Sequence, residues 1–316
     1  MQTILAPRAS SILFDVLSDR DRTRPFLLPA NICPIVPITF LKAGMPFEFV
    51  DLSPRTLEMD PDQVDARLRE PTAHYGGLLY AHTYGDPFTP SDLFQAIKRR
   101  APEMLVIDDR CLCIPEVAPD FSASVDVTLF SSGYAKIADL GFGGFAFLQD
   151  LVDCRHHRLA FDSADLEALE AGYKASLGDR KAYSYLDGNW LQTDSALPAW
   201  QEYADRVRAE THESLAHRQA LNAVYNSLVP PELCLAEHFQ LWRFNLRAPR
   251  KAAVLDAIFA AGLFASSHYA SLVGIMGPGR GQNAHALSEH VINLFNDHRY
   301  TLDMAERTAQ IVRRSL

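Results

Sequence analysis

A chain of 316 residues is long enough for a large core and two domains. With 48% apolar and 22% charged residues it has an ordinary composition for a soluble globular protein. A net charge of −9 gives a nucleic-acid partner no electrostatic support, and an anionic substrate would depend on local Arg, Lys and helix N-termini.

In chain order, the polar segment Pro7 to Ser11 precedes Ile12, Leu13, Phe14, Val16 and Leu17. Ser10 or Ser11 is expected to cap a helix carrying those apolar residues. Such a start, with serine hydroxyls, is either a plain capped helix or a phosphate site. A strand, Phe26 to Leu28, is stopped by Pro29, and a helix from Ile32 to Leu41 takes Gly44 as its C-cap. Phe47 to Val50 make the next strand, ending in Asp51, and Asp60-Pro61 opens a helix over Val64 to Leu68. The strand Leu78 to Ala81 runs out through His82-Thr83-Tyr84-Gly85, where His82 reads as a packed strand-end histidine rather than a catalyst. A helix from Pro90-Ser91 to Arg100 follows, then strands over 104–107, 125–130 and 145–148. Short strands alternating with helices predict an α/β fold with a largely parallel sheet.

The composition then changes. Residues 151–180 are polar and helical in pattern, 181–197 are irregular and aromatic, and 197–228 predict a long helix ended by Pro230-Pro231. Beyond it come a strand over Phe239 to Leu246, a helix over Arg250 to Ala261 stopped by Gly262, edge strands at Phe264 to His268 and Val291 to Leu294, and an amphipathic helix from Tyr300 to Leu316. The expected division is a large domain over 1–196, then the long linking helix and a small α+β domain over 197–316.

Five cysteines, scattered and odd in number, argue against a disulfide framework and fit a reducing cytoplasm. Cys111 and Cys113 form a C-x-C pair with no second pair, so they read as small apolar residues beside a strand, with a zinc site as the alternative. The start MQTILAPRASSILF lacks the charged beginning and long apolar core of a signal peptide, and no run reaches the length of a membrane span.

The chemistry concentrates in LFSSGYAKIADLGFGGFAF. Lys136 follows a buried strand and the turn Ser131-Ser132-Gly133, and Gly141, Gly143 and Gly144 lead into another apolar run. A charged, unpaired lysine between two buried strands is costly, and condensation with an aldehyde removes that cost. The plain alternative is a surface lysine on a Gly-rich hairpin. Upstream, Asp108 and Asp109 end the strand in PEMLVIDD, at the carboxyl edge where α/β folds bind ligands. A carboxylate there can pair with a protonated pyridine nitrogen, or simply cap the next turn. Carboxylate first, lysine 27 residues later behind a serine turn, outlines a pyridoxal-phosphate site.

With LLPANICPIVPITFLKAG, PFEFVDLSPRTLEMDP, YAHTYGDPFTPSDL, VIDDRC and SSGYAKIADLGFGG in that order, the chain resembles the DegT-type sugar aminotransferases, which are fold-type I pyridoxal-phosphate enzymes. Weaker matches lie in GNWLQTDSALPAW, AGLFASSHYASL and VINLFNDHRYTLDMA. The resemblance implies that Lys136 forms the Schiff base with pyridoxal 5'-phosphate, that Asp109 binds the ring nitrogen, and that Ser131 and Ser10 bind the phosphate. It implies a homodimer in which the loop around Asn189 of the other subunit completes the site. It also implies amino transfer from glutamate or glutamine to a keto sugar or another small ketone. Elimination, racemisation or condensation would use the same lysine and acid, and a non-catalytic cofactor-binding homologue is the remaining alternative. A nicotinamide enzyme would want G-x-G-x-x-G at a first strand–helix turn, where it is absent.

Several positions depart from the family pattern. Leu112 stands where a Gln or His is common, no aromatic stands near Ile32 and Cys33, and Trp190-Leu191 follow Asn189 where the family has an Arg. Tyr134, two residues before Lys136, reads as a strand-end aromatic. These departures predict a smaller or less anionic substrate than is usual in the family, with Arg8, Arg110 or Arg243 as candidate cations for an anionic one.

Overall fold

The computed structural model describes residues 1–70, 74–118 and 122–315. Seven strands share one sheet: β1 (Gln2–Ala6), β2 (Phe26–Pro29), β3 (Phe47–Val50), β4 (Gly77–Ala81), β5 (Leu105–Asp109), β6 (Val127–Ser131) and β7 (Gly144–Leu148). Their spatial order is β1-β7-β6-β5-β4-β2-β3. β2 through β6 pair in parallel, and β7 runs antiparallel to both β6 and β1.

The central strands are buried on both faces, as parallel sheets require; every residue of β4 is buried. Successive side chains point to opposite faces. Phe26 and Leu28 therefore pack with Ile12 and Leu17 of α1 (Ala9–Ser18) and Ile38 and Phe40 of α2 (Ile35–Ala43). Leu27, Leu78 and Val106 pack instead with Val64 of α3 (Pro61–Leu68) and Phe94 and Ile97 of α4 (Ser91–Arg100). Each such buried side chain contributes about 1.5–3 kcal/mol.

A second sheet of three strands, β8 (Phe244–Arg247), β9 (Ala265–Ser266) and β10 (Val291–Leu294), is antiparallel with β10 in the middle. It is covered by α7 (Lys251–Ala260) and α9 (Leu302–Arg314). The 29-residue α6 (Trp200–Leu228) ties the sheets together. Its Tyr203 and Val207 pack on Phe130 and Phe145 of the large sheet, and its Leu221 and Tyr225 enter the core of the small one. The other α-helices among the described residues are α5 (Ser163–Asp179) and α8 (Gln282–Ser288). No helix among the described residues is long and apolar enough to cross a membrane.

Several expected boundaries shift, each for a local reason. β1 and α8 were not anticipated. Because β1 ends at Ala6, α1 begins one residue before Ser10, with Arg8 at the N-cap and no side-chain cap; neither Ser10 nor Ser11 fills that position. α2 starts at Ile35 rather than Ile32, since a residue preceding proline is pushed out of helical geometry and Pro34 stands at the N-cap. The helix expected from 151 begins at Ser163, where Asp162 caps it. The strand expected from Phe239 begins at Phe244, because the Gln240 amide donates to the carbonyls of Leu235 (2.7 Å) and Asn245 (2.9 Å) and holds a turn there. β9 stops at Ser266, beyond which the His268 N–H donates to the Asn293 side chain at 2.6 Å instead of a strand.

Candidate active site

The parallel strands deliver their carboxyl ends to one edge of the large sheet, and a cavity of about 510 Å³ opens there. This is the crevice in which open α/β sheets bind ligands. Arg8 and Ser10 reach it from the start of α1, Ile32 and Cys33 from the end of β2, and His82 and Thr83 from the end of β4. Asp109 reaches it from β5, and Ser131 and Lys136 from β6 and the turn after it.

Asp109 is buried, and its Oδ1 accepts from the Cys111 N–H at 3.0 Å. Desolvation pushes its carboxyl above the ordinary aspartate value, against the opposing pull of the Cys111 hydrogen bond, Lys136 and His82. A cationic N–H placed against it would relieve that penalty. Its neighbour Asp108 faces away and meets His82, whose Nε2 lies 2.6 Å from Asp108 Oδ1 while Nδ1 lies 2.8 Å from the Asp86 carbonyl. Both ring nitrogens are therefore engaged within the fold. His82 is thus a packed strand-end residue tied to the first acid of the pair, and it lines the cavity wall beside the second.

One end of the cavity is formed by the start of α1 and the glycines before β7. The first-turn N–H groups of α1 are left without a side-chain cap, and a helix N-terminus of this kind attracts anions. Gly144 allows the close approach that puts it there, since a Cβ at that position would come within 2.1 Å of the Ala9 nitrogen. Gly143 sits at φ 95°, where a Cβ would strike the Tyr203 hydroxyl at 2.4 Å. Ser131 Oγ, near the same end, accepts from the Gly133 N–H at 3.3 Å.

The opposite wall comes from α5 and the loop after it. Leu166, Glu170 and Tyr173 of α5, with Trp190, Leu191 and Gln192, line the cavity of their own chain. Asn189 does not line it. Its N–H donates to Asp165 at 2.7 Å and its carbonyl accepts from the Asp162 N–H at 2.7 Å, which ties it to the first turn of α5. Ser10, Ser131, Asp109 and Lys136 therefore meet in one cavity, and Asn189 of the same chain stands outside it. Of the three candidate cations only Arg8 lines the cavity. Arg110 donates to Thr89 and the Pro87 carbonyl, and Arg243 is buried in an ion pair with Asp297 at 2.7 Å.

No protein-family model matches this chain, and no curated protein sequence matches it. Solved structures do match in shape. DesI, solved with its TDP-sugar product, is similar at 16% identity with a TM-score of 0.72, covering 99% of this chain and 80% of its own. The aminotransferase TlmJ from Streptoalloteichus hindustanus is similar at 17% identity and TM-score 0.69 over 99% of this chain and 85% of its own. The sugar aminotransferase CalS13 from Micromonospora echinospora is similar at 16% identity and TM-score 0.68 over 99% of this chain and 87% of its own. The fold is that of the pyridoxal-phosphate aminotransferases. The architecture expected from the DegT-type resemblance, a mostly parallel sheet with flanking helices and a smaller α+β portion, is thus the one observed.

Sequence reasoning did not foresee Tyr173, Glu170 and Tyr269 at the cavity. Tyr269 is buried and stacks its ring on Trp242, with centroids 6.2 Å apart. It supplies an aromatic close to Cys33, where none stands in the local sequence. Burial pushes the Cys33 and Cys111 thiols upward, so both remain neutral near pH 7. Among the described residues no cluster of His, Cys, Asp and Glu is arranged to hold a metal ion.

Proposed function

We propose that this chain is a pyridoxal-phosphate-dependent aminotransferase for a small ketone or keto sugar, with glutamate or glutamine as donor. The observation that carries the reading is the convergence of Lys136, the buried Asp109 and the uncapped start of α1 on one cavity. The residues fit the cofactor. The glycine-permitted approach of β7 brings the start of α1, which has no side-chain cap, to the cavity, where its first-turn N–H groups would meet a phosphate, and Asp109 is a buried acid whose charge desolvation penalises.

When bound, the cofactor supplies an electron sink for carbanion character at the substrate α-carbon. Lys136 would hold it and would move the proton at that carbon. Asp109 would keep the ring nitrogen protonated. Ser10, Ser131 and the α1 backbone would anchor the phosphate. Tyr269 and the apolar side chains of Ile32, Trp190 and Leu191 limit water.

The lining supports the size and charge of the substrate as well. Arg8 is its only arginine, and α5 adds the Glu170 carboxylate on the far wall, which favours a weakly anionic ketone. We further infer a division into a cofactor domain over 1–196 and a linking helix with a small domain over 197–316, as well as a cytoplasmic homodimer. Tyr134, 69% exposed while lining the cavity, is the residue a partner subunit would cover. The reading does not need the partner's loop, since Trp190 to Gln192 already belong to the chain's own cavity.

The test is the absorption spectrum of the purified protein with cofactor, before and after borohydride. The expected result is a yellow band, bleached by reduction, with the adduct mapping to Lys136 and absent from Lys136→Ala. Glutamate should convert the cofactor to its pyridoxamine form, and a ketone should discharge it. An adduct on another lysine would overturn the assignment. Rapid, specific turnover of a nucleotide-linked keto sugar would overturn the substrate part, and light scattering from a stable monomer that retains cofactor would remove the dimer.

A further inference from the structure

The turn that carries Lys136 is held from behind by the C-terminal half of the chain. Ala135 adopts left-handed backbone geometry at φ 61°, which a residue with a Cβ adopts only when its surroundings impose it. Two carbonyls of this turn are captured by side chains that do not line the cavity. The indole N–H of Trp242 donates to the Ala135 carbonyl at 2.8 Å, and Arg218 Nη2 donates to the Lys136 carbonyl at 2.9 Å. The Ala135 N–H donates to Asp139 at 2.9 Å, and that carboxylate is in turn fixed by Arg299 at 2.6 Å.

Arg218 is suited to this task. Its side chain is 1% exposed, yet every branch of the guanidinium is used. Nε donates to Ser214 Oγ at 3.0 Å, and Nη1 donates to the Trp242 carbonyl and to Asn296 Oδ1, both at 2.6 Å. Desolvation, with Arg243 nearby, lowers its pKa to about 10, so it stays cationic at neutral pH. The same guanidinium thus orients Trp242 and the lysine turn together, and the planar fork does what a single ammonium cannot.

We propose that Arg218 and Trp242 are positioning residues for Lys136. They hold the carbonyls on either side of the lysine Cα and so fix the direction in which its amine enters the cavity. The inference rests on the reading that Lys136 carries the cofactor. It assigns to α6 and the turn before β8 a part in setting the reactivity of a group neither of them touches.

The test compares wild type with Trp242→Phe, Arg218→Lys and Arg218→Met, all loaded with pyridoxal phosphate. Trp242→Phe keeps an aromatic ring for Tyr269 to pack on while removing the indole N–H and one ring of the bicycle, so it tests the hydrogen bond even where Arg218→Met does not fold. The expected result for Trp242→Phe is a shifted pH midpoint of the visible band and a roughly five- to tenfold change in the rate of borohydride reduction, the scale of one lost hydrogen bond. Arg218→Lys should lie between wild type and Arg218→Met in both optical readouts. In cofactor-free protein, labelling of Lys136 by trinitrobenzenesulfonate, read by peptide mapping, should change in the same order. If wild type forms its adduct at Lys136 but the variants keep its band midpoint, reduction rate and labelling rate, the positioning role is overturned. If wild type forms no adduct at Lys136, the cofactor reading itself falls.

Discussion

The two walls of the cavity are built by different physics. One wall consists of strand ends: Asp109, Ser131 and His82 sit where the ladders of β4, β5 and β6 finish, and their backbones are fixed by pairing that runs through the core. The other consists of α5 and residues 190–192. Over its 17 residues α5 buries only Leu169, with Leu166, Tyr173 and Leu177 partly buried beside it, and the segment just past it is held by ion pairs of Arg180 with Glu289 and of Asp187 with Lys42. The groups proposed for the shared chemistry stand on the rigid wall, and those proposed to meet the variable part of the substrate stand on the loose one. A site organised this way can change its substrate without disturbing its cofactor.

Removing support from the rigid wall should have the largest effect. Asp297 is 1% exposed and pairs with Arg243 at 2.7 Å, behind the Trp242 and Arg218 cluster. Arg243 draws its carboxyl below the ordinary aspartate value, against desolvation, which acts the other way. Asp297→Ala leaves a buried guanidinium uncompensated, and a loss of about 3–5 kcal/mol is expected in urea unfolding. A loss under 1 kcal/mol would mean that the foundation of this wall is not rigid.

On the other wall the cost should be smaller and local. Leu169→Ala removes the one buried side chain of α5, at about 2–3 kcal/mol, the low end for a buried leucine. Hydrogen exchange should quicken over 163–179 and remain slow in β5. Equal quickening in both would show that the two walls unfold as one unit and that the contrast drawn here is false.

The contrast also explains what could be read from the residues alone. Strand ends are local signals: an apolar run followed by Asp109, or by Ser131 and then Lys136, announces itself within ten residues. The helices beside the sheet carry clear caps at Asp60-Pro61 and Gly44. The loose wall has no such signature. Tyr173 and Glu170 sit on a helix of ordinary polar pattern, and only its placement over the cavity gives them meaning. Tyr269 reaches the site from the other half of the chain and stacks on Trp242. β1 was illegible because it is only five residues long and just one of them is buried.

A buried acid beside the rigid wall offers a sharper, pH-dependent comparison. Both carboxyl oxygens of Glu58 are buried without a hydrogen-bond partner, although the Thr83 backbone lies close by. Desolvation, then the charge of Asp86, raises its pKa well above the ordinary value of 4.5. The folded state therefore binds more protons than the unfolded state between 4.5 and the raised value, and stability falls as pH rises through that window. Glu58→Gln should abolish this fall. The variant should match wild type near pH 4 and exceed it at pH 7 by about 1–2 kcal/mol, since the amide leaves polar atoms in the same place. A variant no more stable than wild type at pH 7 would show that Glu58 is solvated or paired.

The smallest expected effect tests how α5 is attached. Asp162 is its N-cap: the carboxylate accepts from the Ala164 N–H at 2.9 Å, and the Asp162 N–H donates to the Asn189 carbonyl at 2.7 Å. Asp165, one turn on, accepts from the Asn189 N–H at 2.7 Å, so the first turn of α5 and the loop leading to Trp190 are stitched together at both ends. Asp162→Ala removes the cap but not the backbone hydrogen bond, and it also removes a negative charge from the positive end of the helix dipole. The expected loss is about 1 kcal/mol, with faster exchange confined to 163–170 and the yellow band unchanged, because no group proposed to hold the cofactor has moved. Substrate KM should rise while the half-reaction with glutamate keeps its rate, since the displaced helix carries Leu166, Glu170 and Tyr173. If instead the band shifts and KM stays constant, α5 bears on the cofactor rather than the substrate, and the division of labour between the two walls is reversed.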